Sequence, residues 1–384
     1  MKNFRRFLTV FLFCFIIHKC YPSNSFNESN LCCGQALNNN TNKKNEEDDL
    51  KNKFEKLLGK NEDVYENNEE GDLQVYLEKV LENFDNVKVI KGDFFEVQNN
   101  YELEKSGTKE NDGVLGKGKF GVVYKIKKNE KILALKKVVV KNRNLETLKK
   151  EIQNMITLKG EKNIVKIVDV YRQNNFIGNF LGNEYSKEKN ATCFYIITEY
   201  CEGGDLFDLI INKEGKYNKN KIAYQIIKAV YACYQKQIAH RDLKPDNFFL
   251  DNNLNIKLGD FGFSSYFEKN DKDKIKCGTI GYASYEVFWG KGYDPFKADL
   301  FSLGTTLYAL YNVKFVYNFE KNEGVEKLED EFNKIPERID AIKDSNLKTL
   351  LEGLLTKFEK DRWGWDDILK SEFYKSLDNE DKNK

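Results

Sequence analysis

Histidine is almost missing from this chain: in 384 residues only His18 and His240 occur. His18 falls in a segment expected to be removed, which would leave one imidazole, so a histidine-built metal site is excluded. A net charge is missing as well. Lys and Arg number 62 against 61 Asp and Glu. No excess field draws nucleic acid or an anionic membrane surface, and no nucleic-acid partner is expected. A disulfide framework is the third absence. Of eight cysteines, Cys14 and Cys20 sit in or beside an apolar leader, and Cys32 and Cys33 are neighbours in a polar stretch, open to pairing in an oxidising compartment. Cys193, Cys201, Cys233 and Cys277 are scattered through apolar or motif context and read as small buried thiols. Apolar side chains are not lacking. A hydrophobic share of 40% with 14% aromatics is enough for a real core, so the chain as a whole is not disordered.

One apolar run stands apart, Phe7 to Ile17, preceded by Lys2, Arg5 and Arg6 and ended by His18, Lys19 and Cys20. A basic region followed by an apolar run of this length matches a secretory signal peptide over residues 1–22, with cleavage in the Cys20 to Ser25 region. The run is short of the ~20 residues that span a bilayer. An uncleaved signal anchor is the alternative, and no transmembrane helix is expected beyond the leader. Residues 23–85 are dominated by Asn, Lys, Glu and Asp. They hold too few apolar groups to offset their ordering entropy, so most of this segment reads as disordered. Within it, Leu73 to Val80 has the apolar spacing of a short helix. Asn27, Asn39 and Asn190 stand in glycosylation sequons.

The first stretch that carries chemistry is Val114-Leu115-Gly116-Lys117-Gly118-Lys119-Phe120-Gly121-Val122-Val123-Tyr124. Three glycines at G-x-G-x-x-G spacing let backbone approach phosphate oxygens with no side chain in the way. Strand-like runs flank them, Gly113 to Leu115 and Val122 to Ile126, and no amphipathic helix opens at the third glycine. That predicts a hairpin over a nucleotide and argues against a strand-loop-helix dinucleotide site. A strand follows, Ile132 to Lys136, and its closing lysine reads as a phosphate ligand. Next, Leu145 to Leu158 predicts a helix with Leu148, Ile152, Met155 and Ile156 as its apolar stripe. Glu151 lies beside that stripe, where a carboxylate would hold Lys136 toward phosphate.

Two further motifs make a family resemblance specific. Ile238-Ala239-His240-Arg241-Asp242-Leu243-Lys244-Pro245-Asp246-Asn247 resembles, without a mismatch, the catalytic loop of the eukaryotic protein kinase family. Leu258-Gly259-Asp260-Phe261-Gly262 resembles its metal-binding segment. The resemblance implies an α+β, two-lobed kinase fold over residues 103–377. The small β-rich N-lobe with one key helix would take about 103–200, the larger, mainly helical C-lobe about 201–377, and 378–384 would form a polar tail. It implies ATP and Mg²⁺ as cofactors, with Asp242, Lys244, Lys136 and Glu151 as the catalytic set and Asn247 and Asp260 as metal ligands. Leu115, Gly116, Lys117, Gly118, Lys119, Phe120, Gly121, Val122, Val123, Ala134, Lys136, Thr198, Glu199, Cys201 and Asp205 would surround the nucleotide. Thr198 would stand as gatekeeper, with backbone of Glu199 and Cys201 at the adenine edge. His240 would pack under the metal loop with Phe261 and Met155, without acid–base work.

Finer expectations also come from the resemblance. Lys244, two residues after Asp242, resembles serine/threonine kinases, and Phe263 resembles kinases that prefer serine. Asp205 and Asp246 would favour basic residues before the phosphorylated one in a protein substrate. Glu286 and Arg362 would form a lobe anchor, Asp299 would steady the catalytic loop, and Thr279 would bridge Asp242 and Lys244. Three departures accompany these matches. Ser284-Tyr285 replaces the usual Ala-Pro, Arg172 to Thr192 is longer than usual and reads as an inserted loop, and Phe267 to Lys276 contains no Ser, Thr or Tyr. Arg241 would therefore meet no activation-loop phosphate at the usual place, and Asp271 or Asp273 is expected to take that role. The expected product is a monomeric serine/threonine kinase routed through the secretory pathway, secreted or exported. A pseudokinase scaffold and a membrane-anchored kinase facing the cytosol are the alternatives.

Overall fold

The computed structural model describes residues 87–90, 101–103, 113–118, 121–140, 145–176, 191–212, 217–319 and 324–382. The leader, the polar segment over 23–85 with its Leu73–Val80 helix, and all three sequon asparagines lie outside the described residues. Asn86–Lys384 forms one compact unit.

Alternating sequence builds its first layer. The strands are β1 (Val87–Ile90), β2 (Glu102–Leu103), β3 (Val114–Gly118), β4 (Gly121–Lys128), β5 (Lys131–Val139), β6 (Ile167–Phe176) and β7 (Ala191–Glu199). They form one sheet in the order β1-β6-β7-β5-β4-β2, with β3 paired to β4. In β4 and β5 burial alternates, so Val122, Tyr124, Ile126, Leu133 and Leu135 pack into the sheet's core with Tyr101, Tyr171 and Tyr195. The intervening residues Val123, Ala134 and Lys136 face the other way, toward a cleft. The expected hairpin is present, with Lys117 opposite Val122 and Gly118 opposite Gly121. Gly121 has φ 141°, and a Cβ there would sit 2.1 Å from the Lys137 carbonyl oxygen, so no other residue fits that turn. β1 lies outside the boundary expected at 103: Val87-Lys88-Val89-Ile90 runs parallel to β6 at the sheet edge.

Helix α1 (Leu145–Thr157) follows β5, with Leu145, Leu148, Glu151, Ile152, Asn154 and Met155 buried. Beyond β7 the chain becomes mainly helical, with short β8 (Gly204–Asp205), α2 (Leu206–Asn212) and α3 (Lys219–Gln235). Then come β9 (Ile238–Ala239), β10 (Phe248–Leu250), β11 (Ile256–Leu258) and β12 (Ser265–Tyr266). The remaining helices are α4 (Pro295–Asn312), α5 (Val325–Asn333), α6 (Ile335–Asp340), α7 (Ser345–Leu354), α8 (Trp365–Lys370) and α9 (Glu372–Lys382). This is the expected two-lobed α+β architecture. α4 is its axis. Asp294 caps it through Phe296 N and Lys297 N, Pro295 opens it, and every residue from Ala298 to Leu310 is buried. A helix buried all round has to be central.

Two sequence expectations change. The polar tail over 378–384 is, as far as Lys382, the end of α9, held where Tyr224 Oη donates to Asp378 at 2.7 Å and Asn220 Nδ2 to Glu380 at 2.9 Å. The long insertion narrows, because β6 runs to Phe176 and β7 starts at Ala191; residues 177–190 lie outside the described residues.

The departure at Ser284-Tyr285 leaves the anchor whole. Arg362 Nη1 and Nη2 donate to the two Glu286 carboxylate oxygens at 2.6 and 3.2 Å, and the guanidinium lies over the Phe301 ring. Tyr285 fills the usual proline's place with an aromatic knot, edge-on to Trp289, Phe332 and Phe358. Ser284 is fully buried and its hydroxyl meets no hydrogen-bonding partner in the protein. A buried hydroxyl left unpaired costs about 1–3 kcal/mol. Ser284→Ala is expected to raise stability by about 1 kcal/mol, read as a higher denaturant midpoint at unchanged slope.

Candidate active site

The cleft between sheet and helices encloses about 460 Å³. Its roof is Leu115, Gly116, Gly121, Val123 and Ala134, and its back holds Lys136, Glu151 and Thr198. Glu199 and Cys201 edge it, while Asp205, Asn247 and Asp260 form its lower rim. These thirteen expected residues therefore meet around one space. Val122 is a correction: strand alternation turns its side chain into the sheet's core beside Tyr124, away from the cleft. Lys117 and Gly118 lie on β3 opposite Val122 and Gly121, and Lys119 and Phe120 lie outside the described residues.

Lys136 Nζ lies 2.5 Å from Glu151 Oε1 and 3.6 Å from Asp260 Oδ1. Burial disfavours the ammonium, but Glu151 and then Asp260 outweigh it and raise the Lys136 pKa, so it stays charged. Asp260 sits in left-handed backbone, φ 52°, at the start of the Phe261–Phe263 turn, with 41% of its side chain open to the cleft. Enclosure by protein works against its charge, yet Lys136 first and Lys244 after it hold its carboxyl below the usual range. His240 packs against Phe261 as expected: it is buried and edge-on to that ring at 5.0 Å, with Nε2 3.0 Å from the Gly259 carbonyl. Burial lowers its pKa, so it is a neutral packing group.

Asp242 and Lys244 do not line the cleft but adjoin it through Asn247. Asn247 Nδ2 donates to the Asp242 carbonyl at 2.7 Å and to its Oδ2 at 3.2 Å, which turns Asn247 Oδ1 away from Asp242. Thr279 Oγ1 donates to Asp242 Oδ1 at 2.6 Å and accepts from Lys244 Nζ at 2.8 Å, while Lys244 pairs with Asp242 Oδ2 at 3.1 Å. The bridging threonine is thus in place. Burial opposes the Lys244 charge, but Asp242 and Asp246 prevail and raise its pKa.

This loop has one main anchor. Asp299, buried in α4, accepts from His240 N at 2.6 Å and Arg241 N at 2.8 Å. Burial pushes its carboxyl up to about 7, against the pull of those two donors. Asp205 caps α2 by accepting from Asp208 N at 2.8 Å. Burial, then repulsion from Asp208 and Asp246, pushes the Asp205 carboxyl up to about 6. Glu199 directs its carboxylate to Lys166 N and Lys257, which leaves only its backbone for a ligand.

Val165, Ile196, Phe249 and Gly259 also line the cleft and were not anticipated. Phe249 is the middle residue of β10, turned out of the core between buried Phe248 and Leu250, a direction that so short a strand does not announce in the sequence. Among the described residues no group of three His, Cys, Asp or Glu side chains could hold a metal alone, and no helix is long and apolar enough to cross a membrane.

Residues 110–374 match the protein kinase domain family. The chain belongs to that family. Its kinase domain is similar to serine/threonine-protein kinase SIK3 homolog of Danio rerio, 35% identical over 215 residues, which are 54% of this chain and 17% of that protein. It is similar also to serine/threonine-protein kinase SIK1 of Rattus norvegicus, 34% identical over 204 residues, 51% of this chain and 24% of the relative. SIK1 of Mus musculus is 33% identical over the same shares. The match spans no more than about a quarter of each relative's length.

Proposed function

We propose that this protein is an active serine/threonine kinase that transfers the γ-phosphate of Mg²⁺-ATP to a protein hydroxyl, with serine preferred. One observation carries the reading: the Lys136–Glu151–Asp260 cluster and the Asp242–Lys244–Thr279 cluster are both fully assembled, and Asn247, bonded to Asp242, lines the same cleft as the first cluster. A pseudokinase would be expected to have lost one of these charged groups.

The residues fit the cofactor. A Cβ on Gly116 would meet no protein atom within 4 Å, so the roof leaves backbone exposed where phosphate would lie. Asn247 Oδ1 and the Asp260 carboxylate are the hard oxygen donors that Mg²⁺ selects. Lys136 would hold the phosphates. When bound, Mg²⁺-ATP supplies the transferable phosphoryl group and the cation that neutralises charge. Asp242, its rotamer set by Thr279 and Asn247, takes the proton of the substrate hydroxyl and aligns that oxygen. Lys244 stabilises charge as the phosphoryl group moves.

Asp205, Asp208 and Asp246 make one acidic rim, which favours substrates with basic residues before the target serine. The leader supports delivery through the secretory route. With a C-terminal tag, the kinase domain in microsomes is expected to resist added protease; digestion without detergent would place it on the cytosolic side.

Incubation with Mg²⁺-ATP and a serine peptide array should give transfer by the wild type. Asp242→Asn should be slower by about a thousandfold or more, and equal signals would sink the assignment of turnover to this site. The rim adds a pH test. A carboxyl titrating at about 6 is neutral below that pH and charged above it. For an arginine-containing peptide, kcat/KM should therefore fall as pH drops through about 6. Asp205→Asn should flatten that limb, and an unchanged pH profile would remove Asp205 from substrate recognition.

A further inference from the structure

Beside the Glu286–Arg362 anchor the surface opens into a second groove of about 670 Å³, which shares no residue with the cleft. Its walls are two stretches of chain, 285–293 ahead of α4 and 357–360 between α7 and α8. Tyr285, Trp289 and Phe358 give it an aromatic lining, with Tyr285 edge-on to both of the others. Phe358 is 52% exposed, so apolar surface is gathered here and left open to water.

Charge of one sign is gathered here too. Lys291, Lys357 and Lys360 line the groove against two carboxylates, Glu286 and Glu359, and both carboxylates are already engaged. Arg362 holds Glu286 at 2.6 and 3.2 Å, while Lys272 holds Glu359 at 2.8 Å and Asp294 N donates to it at 2.7 Å. Lys357 pairs with Glu329 at 2.7 Å and lays its ammonium over the Tyr285 ring at 4.8 Å. Lys291 and Lys360 are exposed and, among the described residues, form no ion pair.

The segment after the metal loop extends this field. Asp273, which accepts from Arg241 Nη1 at 2.7 Å, pairs through its backbone with Tyr293 in both directions, at 2.8 and 2.9 Å. That bridge lays the segment along 290–293: a Cβ on Gly290 would come 2.9 Å from Lys276 Cε, and one on Gly292 would come 3.8 Å from Lys272 Cβ. Lys274 and Lys276 are exposed beside it. Asp271, the one exposed acidic side chain of 271–276, turns back to accept from Glu268 N at 2.8 Å. Exposed rings thus sit inside a field of ammonium groups that the protein itself does not neutralise.

We propose that this groove is a docking site for an acidic linear segment of a partner protein, in which one large apolar side chain stands among Asp and Glu residues. The apolar side chain packs among Tyr285, Trp289 and Phe358, and the flanking carboxylates meet Lys291 and Lys360, with Lys274 and Lys276 behind them. The acidic rim of the cleft selects the opposite charge, so the two surfaces do not compete for one peptide. The proposal goes beyond the kinase reading and does not depend on it, because docking is measured without turnover.

The test uses the full chain and a pool of short peptides, each carrying several Asp and Glu residues around one Leu, Phe, Tyr or Trp. Peptides enriched from the pool are expected to bind with Kd below about 100 μM. Lys291→Glu combined with Lys360→Glu should weaken them by about tenfold or more, and raising salt from about 0.05 to about 0.5 M should weaken the wild type likewise. Phe358→Ala, or Ala in place of the apolar residue of the peptide, should also cost about tenfold. Lys375→Glu, exposed on α9 outside the groove, and Asp242→Asn should both stay within about twofold of wild type, so docking and turnover fail separately. A neutral peptide with one phosphoserine and vesicles of phosphatidylcholine with phosphatidylserine test other anions. Tighter binding of either than of the acidic peptides would overturn the proposal, as would no enrichment or an affinity unchanged by the lysine reversals. The lysine heads are exposed and the reversals keep the fold, so that pair decides even where Phe358→Ala does not fold.

Discussion

A single buried carboxylate organises the catalytic half of this molecule. Asp299 sits inside a helix that is buried on every side, and it accepts the backbone N–H groups of His240 and Arg241. Both donors stand at a left-handed kink that the chain would not hold unaided. Two buried donors left without an acceptor would each cost about 1–3 kcal/mol, so the loop and the helix can only be well formed together. Everything that does chemistry then hangs from the kink. Asp242 follows it directly, Lys244 and Thr279 lock the Asp242 carboxylate, and Asn247 ties that carboxylate to the cleft.

The other half of the site is built by strand periodicity. β5 places Leu133 and Leu135 into the sheet and Ala134 and Lys136 out of it, so the lysine of the charge cluster and part of the cleft's roof come from consecutive outward positions. α1 then brings Glu151 to Lys136. The two halves differ in how they resist disturbance. The lysine cluster is a charge network partly open to the cleft, whereas the catalytic loop is fixed by buried hydrogen bonds.

Local motifs were the legible part of the site. Lys136, Glu151, Asp242, Lys244, Asn247 and Asp260 sit in short segments whose residue types answer directly to phosphate, metal or proton chemistry, and all six come together. The two-lobed fold followed from the family resemblance that these motifs carry. Side-chain direction was less legible than motif membership: Val122 and Val123 are adjacent in the glycine hairpin, yet one packs in the core and the other in the cleft. Phe249 escaped because a three-residue strand is too short to announce a period. β1 escaped because Val87–Ile90 pairs with residues more than eighty positions later, a partner no local pattern names. The choice between Asp271 and Asp273 had the same origin. Two like residues two apart are equivalent until the fold buries one against Tyr293 and leaves the other in solvent.

The most direct test of this account is the single-turnover rate of phosphoryl transfer in Asp299→Asn, with ATP preloaded and substrate in excess. An amide at 299 can accept only through its oxygen and turns a donor toward one of the two N–H groups, so the kink that carries Asp242 should loosen. The account predicts that the transfer step slows by about 10-fold or more while ATP affinity stays within about threefold of wild type. A transfer step as fast as that of the wild type would contradict the claim that this buried carboxylate sets the catalytic loop.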